Sequence, residues 1–110
     1  MLKMDMEYNH GILFVRLDGI LNRSTSYKIN NYLIPVILKH KIKYLVFNFF
    51  LLEHIDDSEL NSILNTKCAI KTNKGKMYIC ETPNEYTKAF RKLGLRETSS
   101  ELTALRLLKI

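Results

Sequence analysis

The chain has 110 residues, 46% hydrophobic and 25% charged, the proportions of one soluble globular domain able to bury a core without staples. Its longest apolar run, Tyr44 to Leu52, spans about nine residues against the ~20 needed to cross a bilayer, and Met1-Leu2-Lys3-Met4-Asp5 opens no signal-peptide core, so a cytoplasmic protein is expected. The net charge of +6 raises the question of nucleic acid, but no basic stripe interleaved with aromatics and no RNA-binding motif is present.

Leu2, Met4, Met6 and Tyr8 alternate with Lys3, Asp5, Glu7 and Asn9, the period of a half-buried edge strand. Asn9-His10-Gly11 reads as a turn and Ile12 to Leu17 as a second strand, so the pair forms an antiparallel hairpin. After Asp18-Gly19 the chain enters a helix capped by Asn22 or Ser24, with Ile29, Leu33, Val36 and Ile37 as its apolar stripe and Tyr32 beside them. Pro35 removes a hydrogen bond from that helix at about 3 kcal/mol, which predicts a kink near Asn31 or a break before Pro35. Lys39 to Lys43 connects to the next strand.

The run from Tyr44 is apolar, β-branched and aromatic, interrupted by Asn48, and reads as a buried, central, parallel strand. Asp56, Asp57, Ser58 and Glu59 then form a polar corner, and Leu60, Ile63 and Leu64 open a helix that runs to about Lys71. Ser58 falls at or near the N-cap of this helix, with its hydroxyl facing water. Acids suit a first helical turn through the macrodipole. In open α/β sheets such corners lie at the carboxyl ends of the strands, where ligands and partners bind.

Thr72-Asn73-Lys74-Gly75 stops the helix, and Lys76 to Cys80 reads as a short strand. Thr82-Pro83-Asn84-Glu85 has the form of a capping box with Pro at the first helical position. Tyr86, Ala89, Phe90 and Leu93 follow at helical spacing, and Gly94 suits the left-handed residue that ends a helix. Thr98 with Glu101 forms a second capping box, opening a last helix with Leu102, Leu105 and Leu108 apolar, and a short fifth strand is expected near Arg96. The predicted fold is α/β: one domain over residues 1–110, an open mixed sheet of four or five strands with an antiparallel N-terminal hairpin, packed by about four helices. Its parallel strands are joined by right-handed crossovers.

The candidate chemistry is sparse. Cys68 and Cys80 have neither a CxxC nor a zinc spacing and read as two buried free thiols. His10, His40 and His54 fall in three separate loops and suggest no metal site. The four glycines are scattered, so no phosphate-cradling loop is seen, and no Ser–His–acid or Cys–His set emerges. No catalytic residue and no cofactor is expected. Lys39 and Lys41, then Lys67, Lys71, Lys74 and Lys76, then Lys88, Arg91 and Lys92 lie near predicted helix C-termini, where cations complement the dipole. Asp56, Asp57 and Glu59, then Glu81 and Glu85, then Glu97 and Glu101 favour the other edge. The expectation is a dipolar molecule, acidic around Ser58, with no direct nucleic-acid or membrane contact.

The order of elements and four short motifs resemble the STAS domain, the fold of bacterial anti-sigma factor antagonists. Gly19-Ile20-Leu21-Asn22 is similar to the family's Gly-x-Leu-Asp after its second strand, and Asn48 stands where the central strand often carries Asp or Asn. Ile55-Asp56-Asp57-Ser58-Glu59-Leu60 resembles its apolar-Asp-Ser-Ser/Thr-Gly-Leu corner. Thr82-Pro83 with Phe90 and Gly94-Leu95 is similar to its Ser/Thr-Pro helix ending in Gly-Leu.

The resemblance implies that Ser58 corresponds to the family's phospho-acceptor. It implies a partner that is both anti-sigma factor and serine protein kinase, bound by the unphosphorylated domain and released on phosphorylation, with a phosphatase to reset the switch. The partner-binding surface so implied comprises Asn22, Arg23, Ser24 and Thr25, then Asp56, Asp57 and Glu59, then Asn61 and Ser62 on the following helix. The domain itself is expected to be no enzyme, and a monomer or weak dimer. Asp57 stands in place of the family's first Ser and Glu59 in place of its Gly, so like charge opposes a phosphate on Ser58 while the helix N-terminus favours it. The alternative is a non-switching STAS scaffold or accessory subunit, in a stress-signalling assembly or a lipid transporter, that docks a protein constitutively.

Overall fold

The computed structural model describes residues 1–108; positions 109 and 110 of the expected domain lie outside the described residues. Five strands form one sheet in sequence order: β1 (Leu2–Asn9), β2 (Ile12–Leu21), β3 (Tyr44–Ile55), β4 (Lys76–Cys80) and β5 (Arg96–Thr98). The β1–β2 hairpin is antiparallel, and β2 to β5 are mutually parallel, with β3 central. The helices are α1 (Ile34–Lys39), α2 (Leu60–Thr72), α3 (Asn84–Lys92) and α4 (Glu101–Leu108). The expected mixed sheet and the fifth strand near Arg96 are both present.

Both faces of the sheet carry a core, but the apolar run of β3 is not buried throughout as expected: Phe50 and Leu51 are exposed, at 71% and 54%. Leu45, Phe47 and Phe49 of β3 point into the larger core with Ile37 of α1, Ile63 and Ile70 of α2, and Tyr86 and Phe90 of α3. Phe49 stacks on Phe47 at 5.6 Å and on Phe90 at 5.3 Å between ring centroids, which docks α3 on the central strand. The other face carries a smaller core of Ile12, Phe14, Val46 and Cys80 under Ala104 of α4. A near-continuous apolar run is what a strand covered on both sides requires.

Asn48 interrupts that run for a definite reason. The β2–β3 register slips between Arg16↔Asn48 and Asp18↔Leu51, and again between Gly19↔Leu52 and Ile20↔His54. Each slip gives β3 an extra residue, a bulge, which leaves backbone groups without ladder partners. The Asn48 side chain accepts the Phe50 amide at 2.8 Å and donates to Glu101 Oε2 at 2.8 Å. Glu101 also takes a two-pronged grip from Arg16, Nε to Oε2 and Nη2 to Oε1, both 2.8 Å. Arg16 further reaches Asp5 and Glu7 on β1. The Arg16 guanidinium, foremost, holds the Glu101 carboxyl below its usual range, and Glu101 in turn raises the Arg16 pKa. This cluster ties β1, β2, β3 and α4 together.

Several local expectations are corrected. The irregularity expected near Asn31 and Pro35 takes the form of a π-helical turn, Lys28–Leu33, after which α1 begins at Ile34 with Pro35 in its first turn, where a missing N–H matters least. Neither Asn22 nor Ser24 caps the helix, whose N-cap is Tyr27 without a side-chain bond; Asn22 closes the preceding turn, its Oδ1 accepting from the Ser24 and Thr25 amides. Along β1 the inward face is covered only at Leu2 and Met4, while Met6 and Tyr8 are exposed. On the helix stripe Tyr32 is exposed too. Thr82 forms no capping box: α3 starts at Asn84 without a side-chain cap, and the Thr82 hydroxyl is buried without a partner. The second box fails as well, because Arg16 claims Glu101; Ser100 caps α4 instead, its Oγ accepting the Thr103 amide at 3.2 Å. Ala104, rather than Leu102, packs under α4, and Leu102 is exposed. Cys80 is buried as expected, but Cys68 lies on the exposed side of α2.

Two glycines are needed where they stand. Gly94 takes φ +74° in a Schellman ending to α3, with Gly94 N–H bonded to Arg91 and Leu95 N–H to Phe90. At the end of α2 the left-handed residue is Lys74, and Gly75 serves close approach: a Cβ there would lie 1.7 Å from the Lys43 carbonyl oxygen.

Candidate functional site

The corner after β3 is built by what comes before it. The bulges let β3 run on past its last β4 pair, Asn48↔Cys80, to Ile55. The Asp56 amide bonds the Leu21 carbonyl at 3.0 Å, which brings the ends of β2 and β3 side by side. The loop that follows β2 therefore stands next to the corner that follows β3. Thr25 staples that loop down: its hydroxyl donates to the Ile20 carbonyl at 2.8 Å and accepts the Asn22 amide at 2.9 Å.

Asp56 is extended, with φ −73° and ψ 142°, and a short 3-10 turn, Asp57–Glu59, leads into α2. The N-cap position of that turn is Asp56, not Ser58, and neither Asp56 nor Glu59 makes a side-chain cap. Asp56 is engaged elsewhere, accepting from His54 Nε2 at 2.8 Å. Ser58 is exposed in the middle of the turn, and its hydroxyl has no hydrogen-bond partner among the described residues. A serine that neither caps nor bonds is free for another group. The amides that lead the turn, at Asp57 and Ser58, have no intrahelical acceptor.

The other candidate residues divide into two sets. Asn22, Arg23, Ser24, Asp56, Asp57 and Asn61 are exposed or half-buried around Ser58. Thr25, Glu59 and Ser62 are buried, at 8%, 9% and 1% exposure. Ser62 Oγ meets Glu59 Oε2 at 3.4 Å and accepts from Asn30 at 3.3 Å, a chain that joins α2 to the π-helical turn. Glu59 thus points inward, and the negative charge flanking Ser58 at the surface comes from Asp56 and Asp57.

Two residues at the corner escaped the sequence reading. His54 is on β3, not in a loop, because the bulges lengthen that strand to Ile55. Tyr86, legible only as a member of an apolar stripe, uses its hydroxyl to accept the Ile55 amide at 3.2 Å and to meet His54 Nδ1 at 3.1 Å. The run Tyr86–His54–Asp56 links α3 to the corner. With Nε2 protonated, His54 donates to Asp56 and accepts from Tyr86, so each atom in the run is satisfied. No group of three or more metal-ligating side chains occurs among the described residues, and no described helix is long and apolar enough to cross a membrane.

The charge pattern follows the strand directions. Asp56, Asp57 and Glu81 follow the carboxyl ends of β3 and β4, whereas Lys76 and Arg96 open β4 and β5 and Lys71 lies in the last turn of α2; Glu97, expected with the acids, is the middle residue of β5 beside Arg96.

A parallel-stranded α/β sheet with an N-terminal hairpin, a long bulged central strand and an exposed serine on the turn into the next helix is the layout of a STAS domain. The model of that domain matches residues 3–105, and the chain belongs to the STAS domain family. It is 30% identical over 80 residues to the anti-sigma F factor antagonist of Paenibacillus polymyxa, a match covering 73% of this chain and 68% of that protein. An anti-sigma factor antagonist from Mycobacterium paratuberculosis has the same fold, with a TM-score of 0.84 at 13% identity over 100% of this chain and 96% of its own. The Bacillus cell fate determinant SpoIIAA in its phosphorylated form matches with a TM-score of 0.75 at 17% identity, over 97% of this chain and 99% of its own. In its unphosphorylated form the TM-score is 0.80, over 99% and 98%.

Proposed function

We propose that this chain is a cytoplasmic anti-sigma factor antagonist that works by partner switching. It binds an anti-sigma factor that is also a serine kinase, and phosphorylation of Ser58 by that kinase releases it; a phosphatase restores the binding form. The domain supplies a surface and a substrate hydroxyl rather than catalysis. The observation that carries the reading is the exposed, unbonded Ser58 hydroxyl on the turn into α2. A phosphoryl group there lies at the start of the turn into α2, where amides without intrahelical acceptors and the positive end of the helix stabilise it. Likeness to the Paenibacillus anti-sigma F factor antagonist and to SpoIIAA, a protein known in phosphorylated form, supports the same reading.

The contact surface in this reading is the outward part of the corner: Asn22, Arg23 and Ser24 from one loop, Asp56 and Asp57 from the other, and Asn61 on α2. Thr25, Glu59 and Ser62 hold its shape from inside. A kinase active site approaches Ser58 past Asp57, the one departure from the family pattern that remains at the surface, since Glu59 is turned in.

Asp57 also favours a second reading, a scaffold that docks its partner constitutively, because a fixed carboxylate beside Ser58 opposes a phosphate by like charge. The two are separated by incubating the protein with its anti-sigma partner and ATP, then measuring both phosphate on Ser58 and retention of the complex. Phosphate with loss of the complex supports the switch; a complex indifferent to ATP supports the scaffold.

A further inference from the structure

The edge of the sheet opposite Ser58 carries a second feature. Lys67 and Lys71 from the last turns of α2, Lys76 at the start of β4 and Arg96 at the start of β5 line one pocket of about 130 Å³, with Gly75 and Gly94 on its wall. No carboxylate lines it. Among the described residues the ion pairs lie elsewhere, on Arg16 and on His54. Four cationic residues therefore line one pocket with no carboxylate among them.

Complementing a helix dipole accounts for only part of this. Lys67 and Lys71 are near the α2 C-terminus, but three of its last carbonyls are already taken: the Asn73 amide bonds Ala69 and Ile70, the Lys74 amide bonds Lys71, and the Gly75 amide bonds Ile70. Lys76 and Arg96 begin strands, which have little net dipole to complement. Lys67 is also held in place, its Nζ donating to the Gly94 carbonyl at 2.7 Å. A Cβ on residue 94 would come 3.2 Å from that nitrogen, so glycine leaves the ammonium its room.

We propose that this pocket binds a phosphate-class dianion. Three ammonium groups and one guanidinium fork match the charge and tetrahedral acceptors of such a group. The source is either a small phosphorylated solute or the headgroup of an anionic phospholipid. The site is separate from the Ser58 corner and does not depend on the switch.

The test is NMR titration of the whole chain with pyrophosphate at low ionic strength, where screening is weakest. Saturable shifts at the Gly75 and Gly94 amides are expected, weakened about tenfold by the double variant Lys71→Ala, Arg96→Ala. These residues are exposed, and thermal melting checks that the fold survives. The charge-matched control Lys3→Ala, Lys88→Ala should leave the affinity unchanged. Co-sedimentation with phosphatidylcholine vesicles doped with phosphatidic acid, lost in the first variant only, would assign the lipid source; pyrophosphate binding without co-sedimentation would assign the soluble one. Binding to neither probe, or equal weakening by the control, would overturn the proposal.

Discussion

The Tyr86 hydroxyl of α3 accepts the backbone amide of Ile55, the last residue of β3, at 3.2 Å. β3 has outrun its β4 partner there, so a side chain from another helix supplies the acceptor that the ladder lacks. The same hydroxyl positions His54, which holds Asp56. The order of the corner thus depends on a contact with α3.

Tyr86→Phe keeps the ring in the core but orphans the buried Ile55 amide. A loss of about 1–3 kcal/mol in stability is expected. Hydrogen exchange at Ile55 should accelerate in step, and an unchanged rate would show that the contact does not hold the strand end.

Arg16 and Glu101 make the clearest pH-dependent contribution. The Glu101 carboxyl, held below its usual range chiefly by Arg16, binds its proton less readily folded than unfolded. Its contribution is complete above the unfolded pKa of ~4.3 and is lost as pH falls through the lowered folded value. Glu101→Gln removes this dependence and costs about 1–3 kcal/mol at neutral pH. Urea melts from neutral to acidic pH should show the two proteins converging at the acid end. A constant gap would mean that other carboxylates carry the acid sensitivity.

The element order, the hairpin, the central strand and the serine corner were all legible because each rests on local pattern. Alternation marks β1, the apolar run marks β3, and Gly94 marks the end of α3 by a backbone rule that needs only a few neighbours. What escaped depends on partners far along the chain. Glu101 fits a capping box locally, yet Arg16, 85 residues earlier, takes it. Asn48 was legible as an interruption of the apolar run and as a point of likeness to the family, but only the register slip shows that it serves the Phe50 amide. Glu59 looked like surface charge, and Asn30 and Ser62 draw it inward. His54 was misplaced because bulges, which have no pattern in single-sequence periodicity, lengthened its strand.

The two thiols should react differently. Cys68 is exposed, whereas burial, aided by Glu101 and Glu81, pushes the Cys80 thiol up to about 12. Since the thiolate is the reactive form, iodoacetamide at pH 8 should label Cys68 and spare Cys80 until denaturant is added. Equal labelling of the native protein would mean that the α4 face opens readily.

Ser58→Ala should keep anti-sigma partner binding and full stability, since the hydroxyl makes no cap in this structure. Ser58→Asp should weaken binding about tenfold or more, by adding an acid beside Asp56 and Asp57. Asp57→Ser, which removes the nearest surface charge, should speed phosphorylation of Ser58, as followed by initial rates with the kinase partner. No acceleration would remove Asp57 as the brake.

Mass spectrometry of the wild-type chain after incubation with its anti-sigma partner and ATP tests the central claim most directly. The account predicts one phosphate, mapped to Ser58, absent from Ser58→Ala, and appearing as the complex dissociates. An unmodified chain that stays bound through the incubation would contradict it.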